Sequence, residues 1–162
     1  MPRAGDVVKP SAYVSLEPVP RGRTFELAAV AEIRQGFHIN SHKPTEEFLI
    51  PTTLTTQLPS GFHEVGTDYP PGEMLKFSFS SSPLSVYTGR VTVILRIEAA
   101  AAASLGPQSI PLSLRYQACN DTTCLPPVKI PVEAKFTVAP GGTPAKSIHP
   151  EIFSVAKSQA KK

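Results

Sequence analysis

Apolar and polar residues alternate along much of the chain. Phe25, Leu27, Ala29, Ala31 and Ile33 share one parity, while Glu26, Glu32 and Arg34 share the other. A period of two is that of a strand with one buried face. It returns at Val91, Val93, Leu95 and Ile97, inside the run Arg90–Glu98. Two further runs follow, Ile110, Leu112, Leu114, Tyr116 and Ala118, then Val128, Ile130, Val132, Ala134, Phe136 and Val138. Shorter strand candidates are Ala12–Leu16, the FHINSHKP run at 37–44, Thr52–Leu58, Phe62–Gly66 and Met74–Phe79. Residues 1–10 read as loose.

Turn formers separate these runs: LPSG, YPPG, SSPLS, YTG and SLGP. Roughly eight or nine short strands punctuated this way predict an all-β chain, an antiparallel β-sandwich. No helical period of useful length occurs before residue 146. Beyond it Pro150 suits a helix start, with Ile152, Phe153, Ala156 and Gln159 on one side, although a frayed linker or tail is the plainer reading.

Composition sharpens this picture in two places. Eighteen prolines and no tryptophan among 162 residues fit a turn-rich β domain with a short appendage. The net charge of +3 belongs to the end of the chain, where Lys146, Lys157, Lys161 and Lys162 face only Glu151. Residues 1–140 therefore balance and form the domain, 141–162 are a basic tail or linker, and no electrostatic footprint for nucleic acid remains. No apolar run approaches the roughly 18 residues of a membrane span. The opening MPRAGDVVKP lacks an apolar signal-peptide core, so an exported protein would be present here as its mature part or as an excised domain.

Chemistry concentrates in CNDTTCLPP, residues 119–127, between the last two alternating runs. Asn120, Asp121, Thr122 and Thr123 are turn formers, and Pro126 and Pro127 cannot donate to a ladder. The only two cysteines, Cys119 and Cys124, thus sit at the tip of a predicted hairpin, close enough to bridge. A bridge over so short a loop stabilises by only about 2 kcal/mol. Three readings stay open: a redox pair, a plain staple in a protein-binding module, and a metal site or unpaired thiols. Metal fits poorly, because His38 and His42 lie on a run broken at Pro44 and the cysteine spacing is wide for zinc. The histidines read as turn and surface groups, and Phe79 and Tyr87 as core aromatics. No Lys, Arg or His lies between the cysteines to lower a thiol pKa, and Asp121 acts the other way. No Ser/His/Asp arrangement, phosphate loop or carboxylate pair stands out.

Three stretches, QGFHINSHKP at 35–44, FSFSSSPLSVYTG at 77–89 and LRYQACNDTTCLPP at 114–127, resemble the N-terminal periplasmic domain of the thiol:disulfide interchange protein DsbD. They are also similar to the related disulfide-bond corrector domains, over about residues 12–138. The resemblance implies an immunoglobulin-like sandwich whose Cys119–Cys124 pair relays reducing equivalents. The implied partners are a membrane-embedded reductase domain and thioredoxin-like periplasmic proteins; the implied domain is a periplasmic or extracytoplasmic monomer. The only redox group it implies is the disulfide, with no metal or small-molecule cofactor. Motif matching makes Cys124 the sulfur that joins a partner. It places a shielding cap in residues 77–87, with Phe79 its best-matched aromatic and Phe77 beside it. His38 and Asn40 fall where the family carries tyrosines near the disulfide. Residues 77–78 are Phe-Ser where the best-known member has two acidic residues, and the cysteine spacing is one residue shorter.

Overall fold

The structure is a computed structural model that describes residues 1–154. A 3-10 turn at Ala4–Asp6 leads into β1 (Val8–Val14), β2 (Leu16–Glu17), β3 (Val19–Pro20) and β4 (Thr24–Ile33). Next come β5 (His38–Asn40), β6 (Thr53–Thr56), β7 (Phe62–Asp68), β8 (Glu73–Leu75) and β9 (Leu84–Tyr87). The chain continues through β10 (Arg90–Ala99), β11 (Gly106–Tyr116), β12 (Ala118–Cys119), β13 (Val128–Ala139) and β14 (Lys146–Ser147).

The strands form an immunoglobulin-like antiparallel sandwich. One sheet has the order β1-β4-β10-β7 and the other β3-β13-β11-β6, antiparallel except for the short β3/β13 pairing. The alternation read from sequence chooses the inward faces. Leu27, Val93, Leu95 and Ile97 from the first sheet and Ile110, Leu112, Leu114 and Val138 from the second are buried in one core. Phe25 of β4, Phe62 of β7 and Phe136 of β13 meet there, with centroids 5.2–6.4 Å apart, and tie the sheets together.

A third sheet, ordered β12-β5-β9-β8, bridges the two at one end. Its strands continue from both: β11 passes into β12 through Gln117, and β9 runs into β10 through Thr88 and Gly89. At this end β4 finishes, β10 begins, and the β11/β13 hairpin opens beyond the pair Tyr116↔Val128. This end carries the cysteines.

The start of the chain is not loose. Val7 and Val8 are buried, and the Tyr116 hydroxyl donates to the Ala4 carbonyl at 2.8 Å. An apolar pair and a core phenol needing an acceptor tie it down. The Met74–Phe79 strand stops at Leu75, and Ser80 N–H closes a turn onto the Phe77 carbonyl. The last segment folds back: β14 pairs with β2, and a helix begins at 150. Its Ile152 and Phe153 cover Ala28, Val30 and Ile94 on the outer face of the first sheet. That face has its own apolar residues, so the segment has something to bury against. Ala156 and Gln159 lie outside the described residues.

Candidate functional site

The Cys119–Cys124 loop closes by local chemistry. The Asn120 side-chain oxygen accepts from the N–H groups of Thr122 and Thr123, both at 2.9 Å, standing in for a backbone turn. Asn120 N–H donates to the Thr123 carbonyl at 2.9 Å, and Leu125 N–H to that of Ala118 at 2.8 Å. These bonds set the two cysteines opposite each other, and they form a disulfide with Cα atoms 4.0 Å apart. The pair is asymmetric. Cys119, inside the sheet, is 3% exposed, whereas Cys124 is an exposed residue at the loop's end.

His38 on β5 is the cross-strand partner of Cys119. Directly opposite residues of a ladder share a face, so the imidazole flanks the Cys119 side chain. The sequence suggested a surface histidine; instead His38 is 3% exposed. All three residues of β5 are buried, and a ring lies over the imidazole. Phe77 stacks on the imidazole with centroids 4.0 Å apart and planes at 18°. Phe79 stacks beyond Phe77 at 5.5 Å and 10°, 6.3 Å from His38, and remains partly open to water. Three parallel rings thus lie at the disulfide end, Phe77 being the nearer of the two phenylalanines to His38.

A second fastening lies between those phenylalanines. The Ser78 hydroxyl donates to the Asp121 carbonyl at 2.7 Å, and Ser78 N–H to the Asp121 carboxylate at 3.3 Å. Residues 77–79 are therefore bonded to the very loop that the disulfide closes. Burial pushes the His38 pKa down to about 4, against a smaller upward pull from Asp121. The ring is neutral at physiological pH, and its buried Nε2 has no hydrogen-bond partner.

Asn40 and His42 turn to other work. Asn40, also buried, donates to the Ile50 carbonyl at 2.9 Å, while its own carbonyl accepts from Thr52 Oγ1 at 2.6 Å. It holds the 50–52 segment and has no part in the ring stack. His42 stacks on Tyr69 and donates through Nδ1 to the Thr52 carbonyl at 2.9 Å, so it is packed and bonded rather than free at the surface. Tyr87 accepts from His42 N–H and donates to the Pro70 carbonyl at 2.8 Å. Among the described residues no group of three or more His, Cys, Asp or Glu side chains is placed to hold a metal ion.

The family model for the N-terminal domain of the thiol:disulfide interchange protein DsbD matches residues 4–135. The chain belongs to this family. A DsbD N-terminal domain is a thiol–disulfide exchange domain, and here the fold ends in a bonded cysteine pair. Among solved structures, the chain is similar to a complex between the DsbD N-terminal and PilB N-terminal domains from Neisseria meningitidis. The identity is 16% and the TM-score 0.43, over 75% of this chain and 80% of that one. No curated protein matches.

Sequence reasoning did not find the Ser78–Asp121 fastening or the opposition of His38 to Cys119. Both join residues far apart in the chain, and no spacing encodes them. The resemblance, not any pattern of the residues, placed His38 and Asn40 near the disulfide.

Proposed function

We propose that this DsbD-type domain relays reducing equivalents outside the cytoplasm through the Cys119–Cys124 disulfide. Its partners would be a membrane-embedded reductase domain and thioredoxin-like periplasmic proteins. The exchange domain would be residues 1–140, with 141–162 as a basic tail whose described part packs back on it through β14, Ile152 and Phe153. Among the described residues no helix is long and apolar enough to cross a membrane.

The observation that carries the reading is the asymmetry of the pair, one cysteine enclosed and the other exposed. Exchange needs a reachable sulfur and a leaving thiolate. A partner thiolate attacks Cys124 Sγ in line with the bridge. The Sγ–Sγ bond breaks, its electron pair stays on Cys119 Sγ, and a mixed disulfide forms. The partner's second thiolate then attacks the partner sulfur and releases Cys124. Two electrons have entered the pair, the partner leaves as a disulfide, and two protons follow from the spent thiols or water. The reverse sequence hands the electrons on. Phe77 and Phe79 would act as the cap on the Cys119 side of the resting disulfide, over His38, and moving aside would widen the approach to the bridge.

Mixing the oxidised domain with a reduced thioredoxin-like protein and quenching with acid tests this. The expected products are reduced Cys119 and Cys124 and one partner disulfide per domain. No transfer, despite a folded domain and an active partner, would leave an inert staple in a binding module.

A further inference from the structure

His38 is a buried titratable side chain at the disulfide end, and exchange as described above does not use it. Its ring fills the space between Cys119 on the neighbouring strand and the stacked rings of the cap. Its Nε2 is buried and unpaired. A neutral imidazole tolerates that surrounding, but an imidazolium would carry charge and an N–H with no acceptor under an apolar ring. Attraction between a cation and a phenyl face acts the other way. The cost of the buried, unpaired charge outweighs it, as the depressed pKa indicates.

We propose that His38 is a positioning residue of the exchange site: neutral, it is the platform on which the cap is stacked, and protonated, it releases the cap. The inference rests on the reading of Cys119–Cys124 as the exchange pair and adds to it a coupling between cap opening and one proton. An open cap returns the ring to water, where it takes up a proton at its ordinary, higher pKa. The closed form cannot hold that proton.

The charges around the ring are few. Asp121, from the loop between the cysteines, is the one charged group acting on it. On the cap, Phe77, Ser78 and Phe79 bring no charge, and the Lys76 ammonium is turned to the carbonyls of Phe77 and Ser80. On β12 the cysteine is bonded and does not titrate. On the other neighbouring strand, β9, the Tyr87 hydroxyl is engaged with Pro70. Asp121 also holds the cap through Ser78, so a charged His38 would have its one favourable partner on the far side of the fastening it loosens.

The sign follows from which form binds the proton. The closed form protonates only near the depressed value of about 4, and the open form near ~6.5. Closure is thus at full strength above about pH 7 and weakens as pH falls from there toward 4. Between pH 8 and pH 5 the open fraction should rise about 30-fold.

The test is the rate at which a small phosphine reduces the oxidised chain from pH 8 to pH 5, with His38→Phe and Phe77→Ala alongside. Dividing by the His38→Phe rate removes the pH dependence of the phosphine itself. The ratio for the unaltered protein should climb about 30-fold toward pH 5, and that for Phe77→Ala should be high and nearly flat. A flat ratio for the unaltered protein overturns the proposal. If His38→Phe fails to fold, NMR titration of the His38 ring decides instead. It should titrate near 4 in the unaltered protein and near ~6.5 in Phe77→Ala; an ordinary value in both overturns it. Failure of the exchange reading looks different, because a domain that passes no electrons to thioredoxin-like proteins at any pH can still show the phosphine ratio.

Discussion

At the scale of single residues, the two cysteines sit in unlike surroundings. Cys119 ends a strand and is enclosed, with His38 opposite and Phe77 beyond; Cys124 is exposed, just before Leu125, Pro126 and Pro127. Access limits exchange as much as thiolate fraction does. Cys119→Ser, which keeps Cys124, should therefore trap an activated partner as a mixed disulfide roughly tenfold faster than Cys124→Ser. Gel-resolved adducts over time measure this, and the opposite order would make Cys119 the entry point. The motif made the cysteines easy to find in the sequence. The ring that stacks directly on His38 was not, because Phe77 and Phe79 share a parity and the Ser78–Asp121 bonds that fasten the turn join distant parts of the chain.

Among the elements, the long alternating strands were legible and the short ones were not. β4, β10, β11 and β13 repeat their pattern often enough for a buried face to be read without partners. β2, β3 and β14 have two residues each, and their pairing is fixed by the strands beside them. β9 was hidden because Leu84–Tyr87 lies among turn formers. One turn has no freedom of sequence. Gly61 has φ +90°, and a Cβ there would stand 2.8 Å from the Ala103 Cα. Gly61→Ala combines left-handed strain with a backbone clash and should cost about 2 kcal/mol or more in denaturant unfolding. The helix that begins at 150 earns its place through Ile152 and Phe153 on the outer face of the first sheet. Phe153→Ala should lower stability by about 3 kcal/mol and leave the rate of disulfide reduction unchanged. A change in that rate would mean that this patch and the disulfide end are coupled.

For the whole molecule, the stability and the chemistry are held apart. The two main sheets close a core around Phe25, Phe62 and Phe136, and none of its aromatic contacts depends on the disulfide. The disulfide closes one short loop, worth about 2 kcal/mol against about 5–15 for a typical domain. Reduced protein should therefore melt cooperatively, a few degrees below the oxidised form, with its β signature kept. Unfolding on reduction would make the bond a staple. The central claim is that this bond exists to be exchanged, and its reduction potential tests that most directly. Equilibration of the folded domain with glutathione or thioredoxin couples should place the potential above about −300 mV, within reach of thiol partners. A value well below about −300 mV, with the pair still bonded in strong reductant, would contradict the account.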